Sequence, residues 1–366
     1  MSQPPWSRRT ADSVMRREPL LSERWDYQWG VVALGLQRVW QTSGERTYLD
    51  YLKRSVDHFV GADGSIATYD MAEQNIDHIN PGKVLFSLYR ETGDERYRGA
   101  IERLREQMRR QPRVPEGGFW HKKIYTQQMW LDGLYMASPF LAEYARTFGD
   151  TGEYDDVVRQ LTLIHERTRD ERTGLLYHGW DSSGGQRWAD DRGRSANFWA
   201  RAIGWYVMAC ADVLDILPAG AGRDAIAGIL TDTMNAVVRT ADPASGTWWQ
   251  VLDAPARLGN YLESSASCMF AYALAKGARQ GHLPTDHARA ARRAYEGIVR
   301  EFVRVRPDGT IDVEKTCRGA GLGTAPKGMP YRDGSFAYYV GEPVVTNDHK
   351  GVGAFILASV ELERTG

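Results

Sequence analysis

Two kinds of helical segment alternate along the chain. Apolar residues recur at helical spacing in 84–89, a segment with few charges, which predicts a helix buried on most sides. The segment that follows carries many charged residues around Ile101, Leu104 and Met108, which is typical of an amphipathic helix. The buried kind is also predicted for 197–217, 264–279 and 349–362, and the amphipathic kind for 47–59, 153–168, 222–240 and 285–303.

Short glycine turns join the two kinds of helix. The segments 44–48, 93–97 and 149–154 each begin with Gly, continue with an acidic residue and end with Tyr. Glycine suits the left-handed end of a helix, and the acidic residue suits the positive start of the next one. The pattern predicts repeated αα-hairpins.

The hairpins recur often enough to close a ring. Buried helices are expected to begin near Ser22, Asn80, Asp132, Asn197, Ser264 and Asp348. The stretch Thr10–Arg17 would supply the outer partner of the last one. The sequence therefore predicts an all-α protein, an (α/α)6 barrel of six helical hairpins, formed by residues 1–366 as a single domain. Short aromatic runs at 117–120, 175–180 and 247–251 predict small β-hairpins in the loops at the active-site end.

Composition excludes several classes of protein. The net charge is −1 with both signs interspersed, so a nucleic-acid partner is not expected. No apolar run approaches the ~20 residues of a membrane span, and the N-terminal stretch lacks the apolar core of a signal peptide. The three cysteines, Cys210, Cys268 and Cys317, are far apart, which favours a reducing compartment. A cytoplasmic location is the expectation.

Two aspartates are candidates for chemistry. Asp77 precedes Asn80-Pro81, a pair typical of a helix start, so it is either a loop acid facing the mouth of the ring or a second cap. Asp132 lies among apolar residues, a setting suited to a proton donor. The alternative for Asp132 is an ordinary N-cap, because Pro139 would either kink the helix or start it at Ser138.

The remaining polar candidates suggest a pocket for a sugar acid. His121 and His178 stand in loops, and no histidine pair has the spacing of a metal site. Arg201 and Trp205 are four residues apart and would share one helix face, where Arg could bind a carboxylate and Trp could cover a sugar ring. A cation–π pair inside the fold is the alternative. The 12 Trp and 18 Tyr residues fit either aromatic core packing or a pocket that stacks on carbohydrate.

With these motifs the chain resembles the unsaturated rhamnogalacturonyl hydrolases, glycoside hydrolase family 105, over nearly its whole length. The block 130–137, Trp-Leu-Asp-Gly-Leu-Tyr-Met-Ala, is the most specific segment, supported by 75–82, His121-Lys122, 177–179, 198–206 and 347–357. The resemblance implies an (α/α)6 barrel. It also implies hydration of the C4=C5 double bond of a terminal unsaturated uronate, which releases the neighbouring sugar.

The resemblance also implies roles for particular residues. Asp132 would be the general acid that then activates water, and Asp77 would hold sugar hydroxyls and tune Asp132. The substrate would be bound by His178, His121, Arg201, Trp199, Trp205 and Tyr27. No metal or organic cofactor is implied. The partner would be a small unsaturated oligosaccharide, and the protein would be a monomer or homodimer.

The resemblance favours unsaturated galacturonyl-rhamnose from rhamnogalacturonan, a pectin component, as the substrate. Unsaturated glucuronyl oligosaccharides from ulvan-like or other lyase-treated polymers are the nearest alternative. Two other classes stay open. A sugar epimerase would need two histidines flanking the ring, and the acid at Asp132 argues against it. A non-catalytic helical scaffold would explain the repeats but not the polar residues at helix starts.

Overall fold

The computed structural model describes residues 3–325 and 329–364. Its α-helices in chain order are α1 (Trp6–Arg17), α2 (Tyr27–Ser43), α3 (Arg46–Asp57), α4 (Leu85–Thr92), α5 (Glu95–Arg110), α6 (Leu131–Phe148), α7 (Gly152–Thr168), α8 (Ala200–Val213), α9 (Ala221–Val238), α10 (Ser264–Arg279), α11 (Thr285–Phe302), α12 (Phe336–Gly341) and α13 (His349–Glu363). Two 3-10 helices span Met71–Glu73 and Ile76–Val84. Short antiparallel strand pairs join β1 (Gln128–Trp130) to β2 (Gly179–Asp181), β3 (Val303–Val305) to β4 (Ile311–Val313), and β5 (Thr316–Cys317) to β6 (Val344–Val345).

The helices form two concentric rings. In the inner ring, α2 packs against the 3-10 helix Ile76–Val84 that leads into α4, and the contacts continue through α6, α8, α10 and α13 back to α2. Each inner element carries an outer helix: α3 on α2, α5 on α4, α7 on α6, α9 on α8, α11 on α10 and α1 on α13. This arrangement confirms the predicted (α/α)6 barrel. The stretch predicted to close the ring is part of α1. No helix of the described residues is both long and apolar enough to cross a membrane.

The starts of the inner helices agree with the sequence only in part. α10 begins at Ser264 and Asp348 caps α13, as predicted. α2, however, begins at Tyr27 rather than near Ser22, because the carboxylate of Asp26 accepts a hydrogen bond from a backbone N–H of the first turn and caps the helix there.

The second inner element begins earlier than the Asn80-Pro81 pair suggests. Asn75 provides the cap by accepting the backbone N–H of Asp77, so Asp77 lies in the first turn of the 3-10 helix and not in a preceding loop. Asn80 lies inside that helix, and its side chain donates to the backbone carbonyl of Tyr27 at 2.8 Å. A Cβ at Gly30 of α2 would lie 2.9 Å from the Asn80 side chain, so glycine permits this close approach.

Two further starts depend on strand-like pairing. α6 begins at Leu131 and runs through Pro139, so it does not start at Ser138. α8 begins at Ala200 rather than Asn197, because Ala200 N–H pairs with the carbonyl of Gln250 and holds the preceding residue extended.

The predicted β-hairpins form only as short local bridges, Arg113 with Phe119 and Arg169 with Leu176, and the longer pairs are made between distant segments. β2 pairs with β1 rather than with its own neighbours, and runs 117–120 and 247–251 contribute only isolated bridges. The pairs β3–β4 and β5–β6 were not predicted.

Candidate active site

The first strand pair brings Asp132 and His178 together. Trp130 of β1 lies opposite Gly179 of β2, and Leu131 N–H donates to the His178 carbonyl at 3.0 Å. Asp132 follows in the first turn of α6, with its Oδ2 3.1 Å from His178 Nε2. Neither of these two buried atoms has an aligned hydrogen-bond partner. The two atoms therefore face mainly each other, which places the imidazole directly beside the carboxyl group.

The other nitrogen of His178 is held from the far end of the chain. His178 Nδ1 lies 2.8 Å from the hydroxyl of Tyr339 on α12, and both side chains are fully buried. The Tyr339 ring stacks on Trp199 with centroids 5.8 Å apart. These contacts fix the orientation of the imidazole toward Asp132.

Asp77 belongs to a second charged group at the same mouth. Its Oδ2 forms an ion pair with Lys122 Nζ at 2.7 Å, and its Oδ1 lies 3.4 Å from His121 Nε2. Burial alone would raise the pKa of Asp77, but Lys122 and then His121 outweigh it and the pKa is lowered. Burial lowers the pKa of His121 to about 4 despite Asp77. At neutral pH the group is thus a carboxylate, an ammonium and a neutral imidazole.

An aromatic contact connects the two groups. The His121 ring stacks on Trp130 at 4.6 Å, and Trp130 meets His178 edge-on at 5.4 Å. A Cβ at Gly133 would lie 2.9 Å from His121 Nδ1, which explains the glycine that directly follows Asp132. Asp77 and Asp132 therefore face one mouth of the barrel, as the sequence predicted.

Arg201 is anchored by one nitrogen only. Its Nη1 donates to the carbonyl of Cys317 at 2.6 Å and to Ser265 Oγ at 3.1 Å, while Nε and Nη2 are buried without partners. The guanidinium lies over the Trp199 ring, 5.0 Å from its centroid. Two nitrogens of Arg201, Nε and Nη2, thus have no partner, while Nη1 also lies 3.8 Å from the buried carboxylate of Glu263.

The cation–π pair of Arg201 with Trp205, which the sequence offered as an alternative, does not form, because the guanidinium lies over Trp199. Trp205 as a substrate-binding residue stays a prediction. It stacks on Tyr135 at 4.9 Å and meets Tyr27 edge-on at 6.4 Å, so it fills the barrel axis. Helical spacing places Arg201 and Trp205 on neighbouring positions, but packing within the ring turns the indole inward.

Tyr27 lies in the first turn of α2, among the charged groups. Burial raises its pKa well above the usual value, and the carboxylates of Asp77, Asp348 and Asp132 add to this effect while Arg201 opposes it. The phenol therefore stays protonated and can donate a hydrogen bond within the site.

Sequence reasoning did not select Tyr339 or, as a site residue, Lys122. Lys122 stands next to His121 and could have been found as a cation that balances a buried Asp77. Tyr339 gave no signal, because it lies 161 positions from its partner His178. Within the described residues, no cluster of His, Cys, Asp and Glu could hold a metal ion.

Known proteins resemble the chain over most of its length. The family model described as Glycosyl Hydrolase Family 88 matches residues 6–366. The unsaturated rhamnogalacturonyl hydrolase YesR of Bacillus subtilis is 29% identical over 88% of each chain. A glycoside hydrolase of family 105 from C. acetobutylicum has a structure with a TM-score of 0.96, 44% identity, and coverage of 99% of this chain and 100% of that one.

More distant structures share the fold. An unsaturated glucuronyl hydrolase specific for heparin has a TM-score of 0.74 at 13% identity, covering 98% of this chain and 96% of that one. At this identity the likeness shows the barrel alone.

Proposed function

Since this chain belongs to glycosyl hydrolase families 88 and 105, the unsaturated glycuronyl hydrolases, we propose that it hydrates the C4=C5 double bond of a terminal unsaturated uronate. The whole of 1–366 would act as one catalytic domain on a small oligosaccharide left by a polysaccharide lyase. The observation that carries the proposal is the contact of Asp132 with His178, in which both facing atoms lack aligned partners.

The chemistry follows from the double bond. C4=C5 with the ring oxygen is a vinyl ether, so a proton added at C4 leaves a cation at C5 that the ring oxygen stabilises. Water adds at C5, and the water gives up a proton. The resulting hemiketal opens, and the hemiacetal formed at C1 then releases the neighbouring sugar. Addition of water across C4=C5 is the step that needs the enzyme, so the rule linking carboxylate separation to stereochemistry does not apply.

The carboxyl group of Asp132 would supply the proton to C4 and then accept one from water. His178, held by Tyr339, would orient the acid. Asp77 is held ionised by Lys122, so it cannot serve as the proton donor at neutral pH, but it can accept hydrogen bonds from sugar hydroxyls. This separation of two carboxylates into different roles is a recurring feature of acid–base sites.

The two unpartnered nitrogens of Arg201, Nε and Nη2, suit the uronate carboxylate, since guanidinium and carboxylate geometry match. Trp199, beneath Arg201, would contact the sugar ring. Tyr27 would donate to the substrate from the first turn of α2. Trp205 would pack against Tyr27 rather than cover the sugar.

Unsaturated galacturonyl-rhamnose is the substrate we propose, and the name of the Bacillus subtilis relative supports it. An unsaturated glucuronyl disaccharide is the second candidate within the same chemistry.

The test follows the ultraviolet absorbance of the C4=C5 bond. A panel of lyase products with different uronates and leaving sugars is incubated with the protein, and saturated galacturonyl-rhamnose serves as the matched control. We expect absorbance to fall fastest with unsaturated galacturonyl-rhamnose and the saturated control to stay intact. An epimerase would change configuration without loss of absorbance, and a scaffold would change nothing. Either result across the panel would refute the proposed reaction.

A further inference from the structure

A second cavity lies at the opposite mouth of the barrel. It has a volume of about 340 Å³ and is lined by the C-terminal halves of the inner helices, including Gln37, Lys83 and Asp212. The stack of Tyr135 on Trp205, with Trp205 edge-on to Tyr27, fills the axis between this cavity and the candidate active site. The cavity is therefore separate from the site of the proposed hydration.

Its floor holds buried polar atoms that no protein group satisfies. Lys83 Nζ and Gln37 Oε1, of the lining, are buried without a hydrogen-bond partner, as is the hydroxyl of Tyr135, whose ring Lys83 contacts. Lys83 is 8% exposed, and its Nζ lies 3.3 Å from the centroid of the Tyr135 ring. Burial lowers the pKa of Lys83 to about 7, opposed by Asp212. An amine placed this way is costly for the fold unless something that enters the cavity interacts with it.

The described lining of the cavity holds three carboxylates and five cations. Glu143 pairs with Arg90 and Arg146, and Asp212 and Asp215 share Lys276, so Lys83 and Arg38 are the surplus cations. The C-terminal ends of the surrounding helices carry partial negative charge, which explains why a cation such as Arg90 stands in the last turn of α4. Lys83 is also in a last turn, that of the 3-10 helix Ile76–Val84, but this helix continues directly into α4 and leaves no free helix end for the ammonium, which lies over the Tyr135 ring. Arg38 also lines the cavity, and its guanidinium donates to the neutral amide of Gln41 at 2.8 Å.

We propose that this second cavity binds a small anion, whose carboxylate or phosphate oxygens accept hydrogen bonds from Lys83 and Arg38. Asp212 favours the charged form of both Lys83 and Arg38, but Asp212 and Asp215 also face Lys276. A bound anion would balance the remaining positive charge, which water would not. The volume lies at the small end of the range for ligand pockets, which limits the anion to about the size of a sugar acid or a small phosphate ester.

The test measures anion binding by the rise in melting temperature at constant ionic strength. Inorganic phosphate and malonate are the two probes, and they separate a phosphate from a carboxylate source. The variants are Lys83→Met and, as the matched control, Lys53→Met on the outer helix α3. We expect one or both probes to stabilise the wild type and Lys53→Met, and the affinity of Lys83→Met to be at least about tenfold lower, as for loss of a charged hydrogen bond. Equal stabilisation of Lys83→Met, or none of the wild type, would overturn the proposal.

A second measurement does not depend on the variant folding. Carbon NMR of the lysine ε-methylene groups follows the side chain that titrates near neutral pH in the wild type. A bound anion favours the ammonium, so the titration midpoint should rise by about one pH unit or more with saturating probe. A midpoint that does not move with either probe would contradict anion binding at Lys83.

Discussion

The ion pair of Asp77 with Lys122 gives the sharpest test of how the site is charged. Lys122→Met keeps most of the side-chain volume but removes the ammonium 2.7 Å from Asp77 Oδ2. Loss of one partner of a buried pair costs about 3–5 kcal/mol. The side chains of Lys122 and Asp77 keep 22% and 12% of their exposure, so water screens part of the interaction and we expect about 2–3 kcal/mol.

The pH dependence has a defined sign. In the wild type the lowered pKa of Asp77 contributes stability above the unfolded value of ~3.9, and this contribution is lost as pH falls through the folded pKa. In Lys122→Met, burial is left as the largest influence on Asp77, so its folded pKa should be raised. The charged carboxylate then destabilises the variant at neutral pH, and protonation relieves this as pH falls. The difference in unfolding free energy should therefore shrink from pH 7 toward pH 4.5.

Urea denaturation of both proteins at several pH values measures this difference. Titration of groups distant from Lys122 cancels from the comparison. Lys122 also lowers the pKa of His121, so His121 should cost the variant less stability as pH falls, which shrinks the difference in the same direction. Lys123→Met changes the neighbouring exposed lysine and should stay within about 0.5 kcal/mol of wild type. Adding Asp77→Asn to Lys122→Met should recover much of the loss, because no buried charge remains. A loss below about 0.5 kcal/mol for Lys122→Met, independent of pH, would refute the buried-pair reasoning.

Three further predictions concern the same mouth. Gly133→Ala should cost about 1–3 kcal/mol of unfolding free energy, because its Cβ would lie 2.9 Å from His121 Nδ1. The control Gly228→Ala, which has open space around it in α9, should be neutral or stabilising in the same urea assay. Tyr339→Phe removes the hydroxyl 2.8 Å from His178 Nδ1. We expect kcat to fall about tenfold, equivalent to ~1.4 kcal/mol, with the substrate KM little changed. An unaltered kcat would show that the hydroxyl does not orient the imidazole. The pKa of His121 is about 4 in the folded protein and ~6.5 in the unfolded chain, so the unfolded chain takes up a proton at higher pH. The unfolding free energy should therefore drop by about 2–3 kcal/mol between pH 7 and 4.5, and by less in His121→Gln.

The barrel could be predicted because its signals are local. Glycine turns, apolar spacing and amphipathic faces each involve a few neighbouring residues, and together they gave the hairpins and the closing helix α1. Starts set by distant partners could not be found this way. α8 begins at Ala200 because of a hydrogen bond to Gln250, and the 3-10 helix around Asp77 is fitted against Gly30 of α2.

The site, too, could be predicted only where the signals are local. Asp77 and Asp132 could be placed at one mouth because both stand near helix starts that a ring gathers. The Arg201 side chain was expected beside Trp205, but the Cys317 carbonyl in β5 and the Trp199 ring hold it instead. Tyr339 could not be predicted, since only the folded chain brings α12 against His178.

The central claim is that Asp132 delivers a proton to C4 of an unsaturated uronate. The most direct measurement compares the initial rate of absorbance loss for wild type and Asp132→Asn, with equal melting temperatures as evidence of intact folding. Asp94→Asn, which changes a helix cap on the outer ring, serves as the matched control. The account predicts a fall of about 100- to 10,000-fold for Asp132→Asn and no change for Asp94→Asn. An Asp132→Asn rate within a few fold of wild type would contradict it.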